Sequence, residues 1–194
     1  MHEHFALATD AVYGVVLGDL DLVHDRSRAL AALAPPPDLP AGWQSYLDAM
    51  KVAADNSAQS PTIVDAAAEV LTVGRTCANC HKTHRGPAPT LEEVRASTFG
   101  GQQAMDQHSY GAYLMWLGLF LPSEEVFDAG TDAVAHEGAI PQVDPSLLPL
   151  EKQVHELAAA ARAARDDQER SGALADLLRA CATCHERAGA RIAR

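Results

Sequence analysis

The chain has 194 residues, 47 % of them apolar, which is enough for one ordinary domain or two small ones around a real core. Its net charge is −11, spread evenly: −5 over residues 1–97 and −6 over residues 98–194. Phosphate binding needs a basic face, so nucleic acid is excluded as a partner; a docking partner with a basic face is expected instead. No transmembrane segment is read, because the most apolar stretch, Tyr110 to Leu121, is too short to span a bilayer. The start, Met1-His2-Glu3-His4, has no basic n-region, so no secretory signal is read there and a mature or recombinant form is expected.

Ala is abundant and β-branched and aromatic residues are sparse, which favours helices. In chain order, helix A is predicted over about 2–17, ended by Gly18. Asp19 caps helix B, about 20–34, which Pro35-Pro36-Pro37 stops. Helix C covers about 42–59. Pro61 opens helix D, about 61–84. Residues 85–101, with one short helix at 91–96, read as a linker. The order then repeats. Helix A covers about 103–121 and Pro122 breaks it; Ser123 starts helix B, about 124–137. A Pro-containing loop, 138–149, leads to helix C, about 150–166, and helix D, about 169–190. Four helices on short connections predict an up-down-up-down bundle. The expected fold class is therefore all-α, two tandem four-helix bundles, with units at 1–85 and 102–194 and a linker at 86–101.

All four cysteines fall in two motifs, Cys77-Ala78-Asn79-Cys80-His81 and Cys181-Ala182-Thr183-Cys184-His185. Both read C-x-x-C-H, the attachment signature of c-type haem. Two thiols reach the two vinyl groups of one haem, and the adjacent His supplies an axial nitrogen. Zinc ribbons hold their pairs about 15–20 residues apart, whereas 101 positions separate Cys80 from Cys181. A zinc site also leaves the His after each pair unexplained. A thioredoxin-like redox pair needs a βαβ context, which is not visible.

The motifs lie 104 residues apart, and that offset recurs elsewhere. Met1 maps to Met105, His4 to His108, Gly14 to Gly118, Leu17 to Leu121, Pro37 to Pro141 and Arg75 to Arg179.

Each half resembles the class II c-type cytochromes, the cytochrome c′ group, whose hallmark is C-x-x-C-H near the end of the last of four helices. The resemblance implies a four-helix bundle with one covalent haem c per half, held by Cys77 and Cys80 in the first and by Cys181 and Cys184 in the second. His81 and His185 are then the proximal iron ligands. The family places a helix A residue over the open face of the haem. The antiparallel bundle brings the start of helix A beside the end of helix D, so Met1/His4 and Met105/His108 are the candidates. The interval from His to Cys is 73 in both halves. His4 and His108 are favoured as sixth ligands, since imidazole is the commonest metal ligand and a Met at a chain end is hard to hold still; Met ligation and an open iron stay as alternatives, and His2 is a weak rival to His4.

The expectation is a dihaem electron carrier rather than an enzyme, with two bis-His, six-coordinate haems. Its location is periplasmic or otherwise extracytoplasmic, where thioethers are formed. It serves redox partner proteins, either alone or as a subunit of a larger redox complex. The rival functions are a gas-binding or sensing protein and a haem peroxidase with one open haem. Two separate haem-centred cores are expected, so that loss of Cys77 and Cys80 unfolds mainly the first half. His24, His84, His136 and His155 have no counterpart at the offset and read as surface or supporting residues, while Trp43 and Trp116 read as core. Arg75 and Arg179 are candidates for the haem propionates.

Overall fold

A computed structural model describes all residues except 1, 36, 38, 41, 87–89, 94–103, 137–143 and 190–194, with the backbone alone at 2 and 104–106. Every regular element among the described residues is helical. These are α1 (His2–Leu17), α2 (Leu20–Ala32), α3 (Gln44–Ala58), α4 (Ile63–His84), α5 (Ala104–Phe120), α6 (Glu124–Ala135), α7 (Leu148–Ala161) and α8 (Asp167–Ala188), with a 3-10 turn at Pro145–Leu147. Three of the four helices of each half begin 104 residues apart: 20 and 124, 44 and 148, 63 and 167.

The caps repeat with the helices. Asp19 accepts a hydrogen bond from the Leu22 amide and Ser123 one from Val126; Thr62 accepts from Asp65 and Asp166 from Glu169. Each satisfies an amide that the first helical turn leaves without a partner. At the other end, Arg85 (φ 53) and Gly189 (φ 61), also 104 apart, both take the left-handed conformation that closes α4 and α8.

The predicted elements need small corrections. Helices α2 and α6 stop two residues early. Helix α7 begins at Leu148 and carries Pro149 in its first turn, where a proline lacks no needed hydrogen bond. It ends at Ala161, not 166. Helix α8 starts two residues sooner than expected, because Asp166 is its cap. Only 91–93 of the short linker helix is described as helical. Most of the expected linker, 86–101, lies outside the described residues, as do Met1 and the side chains of His2 and Met105.

Glycines set how closely consecutive helices approach. A Cβ on Gly14 would meet the Val23 side chain at 2.8 Å, and one on Gly118 would collide with the Phe127 backbone. Val23 and Phe127 are themselves 104 apart. The matched glycines therefore have one physical purpose, to let α1 lie on α2 and α5 on α6. Gly118→Ala is expected to wedge α5 from α6 and cost about 1–3 kcal/mol, read as a lower urea midpoint with an unchanged slope.

The core does not divide between the halves. One buried cluster runs through Val15, Leu71, Trp116 and Leu178. Helices α4 and α8 pack antiparallel: the Lys82 ammonium meets the Asp167 carboxylate at 2.6 Å at one end, and Arg179 Nε donates to the Val64 carbonyl at 3.3 Å at the other. Trp116 of α5 is fully buried against Gly74 of α4, where any Cβ would strike its ring. Its Nε1 donates to Thr9 Oγ1 of α1 at 3.1 Å. The expectation of two separate cores is corrected accordingly, since apolar faces of α1, α4, α5 and α8 are buried against one another.

Candidate functional site

Helix α4 carries the first motif and α8 the second, each in its last turns. Residues three and four apart share a helix face. Cys77, Cys80 and His81 therefore project to one side of α4, and Cys181, Cys184 and His185 to one side of α8. Because α4 and α8 are antiparallel, the two motifs sit at opposite ends of the pair. The second motif lies just beyond Arg179, level with the start of α4. At 1.5 Å of rise per residue the two are roughly 25 Å apart.

The long helices α1 and α5 run between these ends. In the first site, His4 near the start of α1 lines one part-open, largely apolar pocket together with Cys77, Cys80 and His81. Trp43, Tyr46, Leu47 and Met50 of the α3 region form one wall, and Phe120, the last residue of α5, closes it. The Phe120 ring stands edge-on to His81 at 5.3 Å. The far end of α1 belongs to the second site, with Gly18 beside the Ala182 carbonyl and the Val16 backbone against His185. Val16 and Phe120 are again 104 apart. Each site is thus built from both halves of the chain, with its motif, its helix A histidine and the end of the other half's helix A.

Burial disfavours the charged form of the site histidines. Burial pushes the imidazoles of His4, His81 and His185 below their usual range. His108 is pushed down to about 4, first by burial and then by the neighbouring His155. A neutral imidazole keeps the lone pair that ligation needs. The cysteines go the other way. Burial first, and then the second thiol of each pair, raises Cys77 and Cys181 to about 12. All four are free thiols, and a raised pKa is the opposite of what a thiolate nucleophile of the thioredoxin type requires.

Buried polar atoms without partners mark where something else belongs. Both ring nitrogens of His4, which is 8 % exposed, are buried without a hydrogen bond, as are Nδ1 of His81, Nε2 of His108 and Nδ1 of His185. An unsatisfied buried polar group costs about 1–3 kcal/mol. The residues present fit a haem: two thiols and a histidine on one helix, a largely apolar pocket, and a second, unpartnered imidazole lining it. Among the described residues no three His, Cys, Asp or Glu side chains converge as a metal-ion cage.

Of the remaining histidines, His24 and His136 are the supporting and surface residues expected. His24 Nε2 is bound to the Ser60 carbonyl at 2.9 Å and pins α2 to the start of α4. His84 stacks on Trp43 at 4.7 Å, so Trp43 belongs to the pocket wall, while Trp116 is core. His136 is exposed. His155 is the residue sequence reasoning missed: its ring meets His108 at 4.9 Å inside the second site. The comparison at offset 104 passes over it because Lys51 stands at the matching position. Arg179 is engaged by Asp176 and the Val64 carbonyl, so its role is to tie α8 to α4.

No protein-family model, curated protein or solved structure matches the chain.

Proposed function

We propose that this chain is a c-type cytochrome that carries two covalent haems and shuttles electrons between partner proteins. One observation carries the reading: at each end of the α4/α8 pair, a C-x-x-C-H face looks onto a histidine from the start of a helix A whose ring nitrogen is buried and unpartnered. Cys77 and Cys80, and likewise Cys181 and Cys184, add their thiols across the two vinyl groups of one haem: each forms an S–C bond, and its hydrogen goes to the neighbouring vinyl carbon. His81 with His4, and His185 with His108, would hold the two irons through their imidazoles. A haem so held would supply a one-electron couple. With both histidines bound, the iron would have no open site for a substrate or gas, which favours transfer over catalysis. The apolar walls around His4 and His81 exclude water and tune the potential.

Thioether attachment takes place outside the cytoplasm, which points to the periplasm or another extracytoplasmic space. No helix among the described residues is long and apolar enough to cross a membrane. The even negative charge suits partners with a basic docking face, including those of a larger redox complex. Attachment points at opposite ends of the molecule give two places for electrons to enter and leave.

An absorption spectrum of the reduced protein with and without carbon monoxide tests the reading. Low-spin bands unchanged by the gas near neutral pH are the expected result. Ready binding at both haems would replace electron transfer with gas binding or sensing, and binding at one alone would favour a haem enzyme of the peroxidase kind.

A further inference from the structure

We propose that the second site holds two interchangeable distal histidines, His108 and His155, either of which closes the iron. The inference rests on the haem reading above and concerns what distinguishes the two sites. His155 lies on α7 and His108 on α5, with ring centroids 4.9 Å apart and planes at 74°. Each carries a buried ring nitrogen without a hydrogen-bond partner, Nε2 of His108 and Nδ1 of His155. The two rings meet edge to face and leave those nitrogens unbonded, so neither histidine satisfies the other. Two unpartnered imidazole nitrogens at one site are one more than a single axial position consumes.

The matching position in the first half sharpens the contrast. Lys51 stands 104 residues before His155, and its charge reaches His4 just as His155 reaches His108. The same helical register thus delivers a side chain beside the distal histidine in both halves. An ammonium carries three donors and no acceptor, so Lys51 has no lone pair for an iron. An imidazole has one. The neighbouring register position differs too: Leu47 lines the first pocket, while Glu151 stands there in the second half and lies close enough to His108 and Cys184 to act on both. Among the described residues, the helix C register thus puts an apolar side chain and an ammonium beside the first distal histidine, and a carboxylate and a second imidazole beside the other. One axial position accepts one imidazole, so His108 and His155 compete for it, and losing either leaves the other to bind.

The test uses the haem-loaded full chain, with carbon monoxide as the probe and low-spin bands as the second readout. The unmodified protein takes up no gas. His4→Ala opens the first haem and takes up one equivalent. His108→Ala and His155→Ala each stay low-spin and take up none, and the double variant His108→Ala/His155→Ala takes up one equivalent at the second haem. His108→Phe fills the same space without a ligating atom and guards against a folding defect in the Ala variant; it too stays closed. If His108→Ala and His108→Phe each bind one equivalent while the unmodified protein binds none, His155 is no ligand and the inference falls alone. An unmodified protein without covalent haem, or with an open second iron, overturns it together with the functional reading.

Discussion

His4→Ala is expected to convert the first haem from low-spin and inert to high-spin and fully reactive with carbon monoxide, leaving the second haem unchanged. The effect is large because, among the described residues, no other histidine lines that pocket on the side away from His81. Across from His81 the lining is Leu39, Trp43, Tyr46, Leu47, Met50 and Phe120 besides His4, and Lys51 beside it offers only donors. Of these side chains only Met50 and Tyr46 carry a potential ligand atom. Met50 is buried in the core cluster, and the Tyr46 hydroxyl is hydrogen-bonded to Thr83 Oγ1 at 2.9 Å. Removing the imidazole also removes two buried nitrogens that have no protein partner. The variant should therefore fold no worse than the parent before haem is considered, and unchanged helicity by circular dichroism checks this. A variant that stays low-spin would assign the sixth ligand elsewhere. If a Met1 variant then opened the haem, the electron-carrier reading would survive with a His/Met pair and a higher potential.

Trp116→Ala is expected to destabilise the whole molecule by about 3–5 kcal/mol, the usual loss for deleting a buried large aromatic, against a total stability of about 5–15 kcal/mol for an ordinary protein. Trp116 is fully buried where α5 meets Gly74 of α4, and it donates to Thr9 of α1. It therefore joins helices of both halves. Urea unfolding followed by helicity and by the visible bands of the haems should give one transition, shifted for every probe together. Two transitions, with one half unfolding while the other keeps its helices, would contradict the shared core. Loss of Cys77 and Cys80 should for the same reason weaken both halves rather than the first alone.

Local structure was readable from the sequence wherever it is written within one or two helical turns. The C-x-x-C-H face follows from residue spacing on a helix. The caps Asp19 and Ser123 and the stops at Gly18 and Pro122 bound their helices to within two residues. The offset of 104 picked out His4 and His108, and it picked out Gly14 and Gly118 before their contacts with Val23 and Phe127 gave the reason. What long-range packing decides was not readable. Nothing in the period of α4 or α8 says that they lie antiparallel, or that α1 and α5 reach from one motif to the other. Phe120 and Val16 close opposite sites from equivalent positions, yet they share no identity for an offset comparison to find. His155 was passed over on the same ground, because the register is conserved between the halves while the residue changes from Lys to His. The signal was available in its place on helix C, four residues after Glu151 and so on the same face.

The proposed function requires each C-x-x-C-H motif to hold one haem through two thioether bonds. The mass of the protein denatured in acid and stripped of non-covalent ligands tests it most directly. The expected mass exceeds that of the bare chain by two haems, falling by one haem when Cys77 and Cys80 are both replaced by Ala and by the other when Cys181 and Cys184 are. A mass equal to that of the bare chain in protein isolated from a host competent to attach haem c would contradict it.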